Sequence, residues 1–528
     1  MSKGKGYRWQ VAAVVALGLF MAILDNTIVS VTLPQMQKAF ATDFETITWV
    51  ATAYFLAQAA VIPIVGYISD RIGSKLVFLS TLALFTLGSG LCAIAPTKEA
   101  LILFRVVQGI GGGALMPIAF SIVYRIFPPS ERGAATAVIG IPIMMAPAFG
   151  PTIGGFLSTN FDWNAIFTIN LPIGIVALVL GLLVLPGRSA EEKALAEESG
   201  KRFDILGLVL SMVGFTALVY GITEAGPKGW GNSTVLTYTA IGGAVLIVFI
   251  IVELLVSDPV LDIRLFTNYT FSIANLLMWI VAAVLFGSLF LLPFFFENVQ
   301  GNSALTAGEF LISQGLATGV GTAISGALYN RAGPRILTVV GLIFLAAGTY
   351  GLTQLEVNTS GQALQLWLIA RGFGLGFVNT PLQTLALSVV SNRAMAKASS
   401  LVTVTRQVAS AVGVALLTTY LTQQTTSHAT DIGNAIRSGL VTHQLSGVAA
   451  TCVRAAGPTL NQAAARACVF QHATTMGLTS TFWLVLISCL AAAVLALIVG
   501  RDPSIEAYKQ ARERGEKVEP ERQPVLSE

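Results

Sequence analysis

The sequence predicts an all-α integral membrane protein with two six-helix bundles and two further transmembrane helices inserted between them. The chain of 528 residues is 54% hydrophobic and only 11% charged, and it contains 51 glycines, a composition that excludes a soluble protein. Fourteen apolar segments of roughly 20 residues are each long enough to cross a bilayer as a helix. A short motif near residue 70 returns 260 residues later in a weaker form, which indicates an internal repeat.

The fourteen predicted spans divide the chain into five parts. Residues 1–186 form an N-terminal six-helix bundle, 187–203 a linker, 204–268 the two inserted helices, 269–500 a C-terminal six-helix bundle and 501–528 a tail. The linker is either a solvated amphipathic helix or a flexible tether. The spans lie near residues 9–34, 46–67, 76–95, 99–122, 133–157, 165–186, 205–226, 236–257, 270–296, 304–327, 335–355, 363–388, 397–421 and 476–499, and the long external loop is 422–475.

The distribution of cations predicts the orientation of the chain in a cell membrane. Lys and Arg prefer the cytoplasmic side of a membrane. With the N-terminus inside, 22 of the 31 Lys and Arg fall on cytoplasmic segments, 6 fall outside and 3 (Arg105, Arg371 and Arg406) lie within spans. We therefore expect a multi-pass protein of the bacterial cytoplasmic membrane with both termini in the cytoplasm. The net charge of +4 is small and dispersed, so it indicates membrane anchoring rather than nucleic-acid binding.

The repeated motif predicts a cytoplasmic gate. It reads Gly-Tyr-Ile-Ser-Asp-Arg-Ile-Gly-Ser-Lys at residues 66–75 and Gly-Ala-Leu-Tyr-Asn-Arg-Ala-Gly-Pro-Arg at residues 326–335. Glycines let backbones approach closely, and adjacent Asp and Arg can bridge neighbouring helix ends, so these turns could lock one conformation of a moving bundle. In the alternative, the cations only anchor the topology. The predicted gate residues are Gly66, Asp70, Arg71, Gly73, Lys75, Asn330 and Arg331.

Two ionisable residues inside apolar spans are candidates for proton coupling. Asp25 lies in the first span, where a carboxylate tends to be neutral or paired and can exchange a proton when its exposure changes. Arg105, in the fourth span, keeps its charge and needs a cavity, a carboxylate or helix carbonyls. A fixed cation close to Asp25 would set when that residue holds its proton. The alternatives are a structural hydrogen bond for Asp25 and simple helix cross-linking for Arg105.

The fifth span is rich in proline and glycine, which predicts a kinked helix packed tightly against a partner. Between two moving halves such a helix would set the direction of coupling, whereas in the alternative its glycines serve packing alone. The residues concerned are Pro147, Gly150, Pro151, Gly154 and Gly155.

Polar and aromatic residues in or near the spans are candidate contacts for a small-molecule ligand. Glutamates near the outer ends of spans are either interfacial charges or counter-ions for a cationic ligand, and aromatic side chains either face lipid or line a cavity. The candidates are Asn26, Gln108, Glu224, Trp279, Glu297 and Glu309.

Cys452 and Cys468 share the predicted external loop and are candidates for a disulfide, because that compartment can be oxidising. Together with His443 and His472 they match no compact zinc pattern, so no metal site is predicted. The sequence contains no P-loop, no nucleophile elbow and no His-Glu-x-x-His stretch. We therefore expect neither an enzyme nor a resident cofactor.

Several motifs, in the right order, resemble those of the major facilitator superfamily. Residues 66–75, 101–113 and 150–155 resemble its three signature motifs, and the third is associated with its antiporters. The likeness covers almost the whole chain to about residue 421 and resumes in the last helix. Further likenesses to the fourteen-span drug:proton antiporter branch lie in residues 24–34, 167–174 and 262–271.

The resemblance implies alternating access and the export of drugs or other lipophilic, amphipathic molecules in exchange for protons, driven by the proton gradient. It implies that Asp25 is the acid of the first helix, that Arg105 is the cation coupled to protonation, and that Asp70 and Arg71 form a cytoplasmic latch. Gly150 with Pro151 would form the antiporter kink. Relatives in Gram-negative bacteria often work with a periplasmic adaptor protein, so an adaptor is a candidate partner.

The chain also departs from the pattern of the family. Ser74 stands where a basic residue is usual, Asn164-Ala165 stands after Trp163 where this branch often has Arg-Trp, and Asn330 replaces the acid of the second motif copy, which should weaken the C-terminal latch. The tenth span has no obvious acid in mid-membrane, so neutral or monovalent substrates are expected rather than dications. Two alternatives stay open: a symporter or dedicated metabolite exporter of the same fold, and a membrane receptor or channel.

Overall fold

The structure is a computed structural model that describes residues 5–187, 204–289, 291–302, 304–442, 447–456, 461–500 and 502. Every regular element in these residues is helical, which confirms the predicted all-α fold. The predicted linker 187–203 and tail 501–528 lie outside the described residues, apart from Gly187 and Asp502.

Seven helices correspond to the six predicted N-terminal spans, because the sixth span is divided in two. The second helix begins after Asp43, whose carboxylate accepts a hydrogen bond from the Thr46 backbone N–H at 2.7 Å. That bond lowers the pKa of the Asp43 carboxyl. The helix ends at Gly73, whose φ of 91° favours glycine over any other residue. These helices are α1 (Lys5–Ala39), α2 (Phe44–Ile72), α3 (Ser74–Ala93), α4 (Lys98–Ile126), α5 (Arg132–Asn160), α6 (Ala165–Thr168) and α7 (Asn170–Val184).

The two inserted spans are α8 (Ile205–Lys228) and α9 (Ser233–Leu255). The second copy of the motif lies inside one long helical segment, in which Gly333 has non-helical dihedral angles, with φ 78° and ψ 161°. Two predicted spans meet at this glycine. The C-terminal helices are α10 (Tyr269–Leu289), α11 (Leu291–Phe294), α12 (Ala304–Leu352), α13 (Gly361–Ser388), α14 (Met395–Thr442), α15 (Gly447–Ala455) and α16 (Gln462–Ala496), with a π-helical turn at Phe295–Val299.

Each of the fourteen predicted spans falls on helix. In the described part of the chain, 11 helices are long and apolar enough to cross a membrane, and one of them, Gly308–Leu352, covers two predicted spans. Helices α5 and α13 are not among these, but they contain 29 and 28 residues. Such helices are about 42 Å long, more than the roughly 30 Å of a hydrocarbon core. The number of crossings stays a prediction.

The two predicted bundles meet along a seam. There α12 packs against α5, and α14 packs against α2 and α4. The inserted helices α8 and α9 pack as a pair, and α8 contacts both α2 and α14. The inserted helix α8 therefore lies against one helix from each bundle.

The predicted external loop 422–475 is helical over most of its described length. Helix α14 continues without a break to Thr442, and α16 begins at Gln462. Cys452 and Cys468 form a disulfide that joins α15 to α16. His472 lies beside the two sulfur atoms, whereas His443 is outside the described residues.

Candidate functional site

Asp25 lies at the centre of a buried hydrogen-bond network between α1, α4 and α7. One carboxylate oxygen accepts a hydrogen bond from Arg105 at 2.6 Å. The other accepts hydrogen bonds from the amides of Gln108 at 2.9 Å and Asn170 at 2.7 Å. All four side chains are fully buried. The network supplies one opposite charge and three donors to an ionised carboxylate, which offsets the cost of burying that charge.

Arg105 is held in place by more than Asp25. Its Nε donates to the carbonyl oxygen of Val50 at 3.0 Å, and its Nη1 also donates to the side-chain oxygen of Gln108 at 2.7 Å. The guanidinium lies 4.0 Å from the centre of the Tyr54 ring, a favourable cation–π distance. These contacts position the cation between α2 and α4, in addition to its pair with Asp25.

Glycines of α4 bring Arg105 close to its partners. A Cβ atom at Gly109 would lie 2.6 Å from the carbonyl oxygen of Tyr54, and one at Gly113 would lie 2.8 Å from the Cα of Gln58. Such distances exclude any side chain, so α4 and α2 pack backbone to backbone. The glycine-rich stretch that resembles a family motif therefore has a direct structural reason.

Helix α5 packs against α1 immediately beside Asp25. A Cβ atom at Gly150 would overlap the side chain of Thr27, and one at Gly154 would lie 3.3 Å from the Cα of Ile28. The Thr27 hydroxyl lies 3.4 Å from the carbonyl oxygen of Ala146, which accepts its hydrogen bond. A rearrangement of the hydrogen bonds around Asp25 would therefore occur next to α5, the helix that contacts the other bundle.

The predicted kink in this helix stays a prediction. The backbone of α5 is helical from Arg132 to Asn160, through Pro147, Pro151 and Gly155. The tight packing expected of its glycines is present at Gly150 and Gly154, as described above.

The predicted gate residues Asp70 and Arg71 bind separate partners. Asp70 accepts a hydrogen bond from Arg125 of α4 at 2.9 Å, which joins two helices of the same bundle. Arg71 lies 3.1 Å from Asp258, in the segment after α9, and the other oxygen of Asp258 lies 2.5 Å from Lys397 of α14. Asp258 thus bridges cations from the two bundles.

The other gate residues have different contacts. Lys75 donates to two carbonyl oxygens at the end of α7, each at 2.9 Å, which satisfies helix-terminal acceptors. The Asn330 amide donates across the seam to the carbonyl oxygen of Ser130. Arg331 is exposed. The neutral residue in the second motif copy therefore still contacts the opposite bundle.

The bundles are in close contact on the predicted cytoplasmic side. The Gly66 backbone N–H donates to the Ser400 hydroxyl at 2.9 Å, and a Cβ atom at Gly66 would lie 2.5 Å from the carbonyl oxygen of Ala396. A Cβ atom at Gly133 would lie 2.6 Å from the Cβ of Tyr329. Glycine is required at both contacts for this side to close.

A cavity lies between the bundles, with walls from α4, α5, α12, α13 and α14. Most of its walls are apolar, hydroxyl or amide groups, and Arg406 is the charged residue among its described lining. None of the six predicted ligand contacts lines it. The lining residues are Phe120, Thr136, Gly140, Ile143, Thr322, Asn379, Thr380, Gln383 and Arg406.

The three glutamates proposed as counter-ions lie outside this cavity. Glu224 pairs with Lys228 at 2.7 Å, one turn further along α8. Glu297 and Glu309 are exposed to the surroundings of the protein. Their role in ligand binding stays a prediction.

The other three predicted ligand contacts also lie outside the cavity. Gln108 belongs to the hydrogen-bond network around Asp25, and Asn26 follows Asp25 on α1. Trp279 packs against Phe266, with ring centres 5.7 Å apart. That these three residues contact a ligand stays a prediction.

Several site residues are absent from the predictions made from sequence. Asn170 is an amide within an apolar run, a signal that could have identified it as a partner of a buried charge. Asp258, Lys397 and Gln383 have no such local signal, because their partners or their cavity depend on how distant helices pack.

Replacing Asp258 with Asn is expected to reduce the export that the family resemblance implies about 2- to 30-fold, since each partly exposed ion pair contributes about 0.2–1 kcal/mol and two pairs are lost. The difference in export between this variant and the unmodified protein should become smaller at high salt, because dissolved ions screen exposed ion pairs. Export measured in vesicles at low and high ionic strength checks this result. Asp262→Asn is the matched control, because the Asp262 side chain caps a short helix and Asn can do the same. Equal effects of both substitutions would contradict the bridge.

Comparisons with known proteins agree with this architecture. Residues 15–414 match the profile of the Major Facilitator Superfamily. The "Multidrug resistance protein B homolog" of Mycobacterium tuberculosis is 36% identical over 424 residues, 78% of this chain and 76% of the relative. The "Tetracenomycin C resistance and export protein" of Streptomyces glaucescens is 30% identical over 417 residues, 79% of this chain and 76% of the relative. The crystallised proton:xylose symporter XylE has a TM-score of 0.61 at 14% identity, covering 96% of this chain and 100% of XylE, a likeness of fold alone.

Proposed function

Because this chain belongs to the major facilitator superfamily, we propose that it exports drugs or other amphipathic small molecules across the bacterial cytoplasmic membrane in exchange for protons. The members of this family are transporters rather than enzymes. The single observation that carries the proposal is the buried Asp25, held by Arg105, Gln108 and Asn170 beside the helix that contacts the opposite bundle.

Asp25 is the proton-binding group of this proposal. When it binds a proton it loses its negative charge, so its ion pair with Arg105 is lost. Arg105 keeps its contacts to Val50 and Gln108, so the change falls mainly on α1. Protonation from outside would favour the state that releases substrate, and release of the proton inside would reset the protein.

The coupling route runs through α5. Thr27 of α1 contacts Gly150 of α5, and α5 contacts α12 of the other bundle along the seam. A shift of α1 that disturbs the Thr27 contact therefore reaches the interface that opens and closes around the cavity. Packed helices tend to switch between discrete arrangements rather than deform continuously, which suits alternating access.

The names of two relatives support drugs as the substrate class. One is named for multidrug resistance and the other for resistance to and export of tetracenomycin C. We propose that both termini lie in the cytoplasm, and that in a cell with an outer membrane a periplasmic adaptor is a candidate partner.

The test is the collapse of a pH gradient in inverted vesicles that contain the protein. Respiration acidifies the lumen of such vesicles, so an antiporter should release lumenal protons when a substrate is added outside. Vesicles from the same host without the protein are the control, since lipophilic weak acids and bases carry protons unaided. Protein-dependent proton release on addition of compounds from a panel of dyes and antibiotics is the expected result.

Other outcomes would contradict the proposal. Further acidification of the lumen on addition of a compound would indicate symport, in which substrate and proton move together. Ion conductance without saturation would indicate a channel. Binding of a compound without its movement into the lumen would indicate a receptor.

A further inference from the structure

The central cavity presents a positive charge without an acidic partner. Arg406 lines the cavity from α14 and is half-buried. Its Nη2 donates to the sulfur of Met116, on α4 of the opposite bundle, at 2.6 Å. No carboxylate of the described residues lies within ion-pair distance of it. A thioether is a weak acceptor and supplies no negative charge, so Arg406 lacks a counter-ion.

The other two arginines within spans differ from Arg406. Arg105 is paired with Asp25 and is fully buried. Arg371 is 1% exposed and donates to the hydroxyl of Ser288 inside the C-terminal bundle. Neither lines the cavity. Arg406 is therefore the arginine of the three that a molecule between the bundles can reach.

Two further polar side chains of the same cavity lack hydrogen-bond partners. Gln383 is 4% exposed, and both atoms of its side-chain amide are unpartnered among the described residues. The hydroxyl of Thr322, 1% exposed, is also unpartnered in this part of the chain. Buried polar groups without partners are uncommon in proteins and indicate an absent water or ligand. Water could satisfy Gln383 and Thr322, but it would give Arg406 no opposite charge.

The walls of the cavity are suited to an apolar body once the bundles separate, because in this conformation the cavity encloses about 20 Å³, room for about one water molecule. Phe120 of α4 and Ile143 of α5 contribute aromatic and aliphatic surface from the N-terminal bundle, while Gln383 and Arg406 come from the C-terminal bundle. A ligand with an apolar part and an acidic group would therefore contact both bundles. A planar guanidinium binds carboxylates through two parallel hydrogen bonds, and the Gln383 amide can donate a third.

We propose that the cavity binds amphipathic organic anions, with the acidic group on Arg406 and Gln383 and the apolar body against Phe120 and Ile143. This inference rests on the proposed export function and names its substrate class. It differs from the expectation of neutral or cationic substrates, because Arg406 repels a cation. The three glutamates that the sequence offers as counter-ions lie outside this cavity.

The test uses three naphthalene compounds that differ only in their polar group: 1-naphthoate, 1-naphthylmethanol and 1-naphthylmethylammonium. Binding to the purified full-length protein in detergent is measured by calorimetry. Naphthoate should bind at least about tenfold more tightly than the other two, as charge-assisted hydrogen bonds predict. Arg406→Gln should remove that preference and leave binding of the alcohol within about threefold, because the apolar contacts persist.

The chain offers a matched control on the same helix. Arg437 lies on α14 and is exposed, outside the cavity, so Arg437→Gln should leave naphthoate binding unchanged. Gln383→Leu, which keeps Arg406, should weaken naphthoate binding about three- to tenfold through the loss of one donor. This variant keeps the proposal testable if Arg406→Gln does not fold, as judged by its thermal unfolding.

Each outcome separates the two proposals. Equal binding of the three compounds, or an anion preference that survives Arg406→Gln, would overturn the anion site even if neutral drugs still drive proton release. Naphthoate binding that depends on Arg406, without proton release by any compound in vesicles, would keep the site and overturn proton-coupled export.

Discussion

Asp25→Asn abolishes substrate-driven proton release and lowers proton-driven export to the level of vesicles without the protein. Asn has the shape of Asp and can keep hydrogen bonds in the network, but it cannot carry a proton in exchange. Passive exchange of labelled for unlabelled substrate needs no net proton movement, so it should continue in this variant. Comparing the two assays on one preparation checks the result, because misfolding would remove both activities.

The expected loss is complete within the background of the assay, since the coupled cycle then lacks its proton-binding step. Removing one partner of a buried ion pair also costs about 3–5 kcal/mol of stability. Thermal unfolding is therefore measured in parallel. Asp43→Asn is the matched control, because Asp43 is an exposed cap at the start of α2 and Asn caps a helix as well as Asp does. Proton release that persists in folded Asp25→Asn would place the proton on another group.

Gly66→Val should hold the protein open on the predicted cytoplasmic side and strongly reduce export. The added Cβ would lie 2.5 Å from the carbonyl oxygen of Ala396 and 2.7 Å from the Cα of Lys397, so α2 and α14 must separate. Overpacking of this kind costs about 1–3 kcal/mol, which lowers the closed population about 5- to 150-fold. Export in inverted vesicles measures the functional effect.

Accessibility of the seam measures the structural effect of Gly66→Val. Thr384 is fully buried and its hydroxyl lies 3.1 Å from that of Thr136 on the opposite bundle, so a cysteine at position 384 should react slowly with a polar maleimide. Adding Gly66→Val should raise the rate about tenfold or more from the predicted cytoplasmic side. Gly243→Val is the control, because a Cβ at Gly243 of α9 meets nothing within 4 Å. Slow labelling and normal export in Gly66→Val would contradict the close contact.

Much of the fold was predictable from the sequence for local reasons. Each predicted span falls on helix because apolar length, glycine, proline and charge act over a few neighbouring residues. The repeated motif predicted two turns, and the structure has a positive-φ glycine in each, Gly73 and Gly333. The extent of α14 beyond residue 421 was not predicted, since residues 422–442 are mostly polar and have no apolar periodicity that would indicate a membrane helix.

The candidate site was predictable in part. Asp25 and Arg105 were singled out because a charge within an apolar span needs a partner, and the structure places them 2.6 Å apart. Asp70 and Arg71 were predicted to bridge neighbouring helix ends, and each binds a different residue, Arg125 and Asp258 respectively. Their role as a latch stays a prediction. Adjacent residues on a helix point in different directions, so spacing alone could not assign their partners.

By itself the sequence determined that this protein is a helical membrane protein of a known transporter family, with a buried acid and a buried cation in its N-terminal half. Hydrophobic length and the cost of burying charge are properties of single helices, so a linear pattern carries them. Only the tertiary structure decided that Asp258 bridges the bundles and that Arg406 and Gln383 line one cavity between them. Those relations depend on which distant helices become neighbours, and packing decides that.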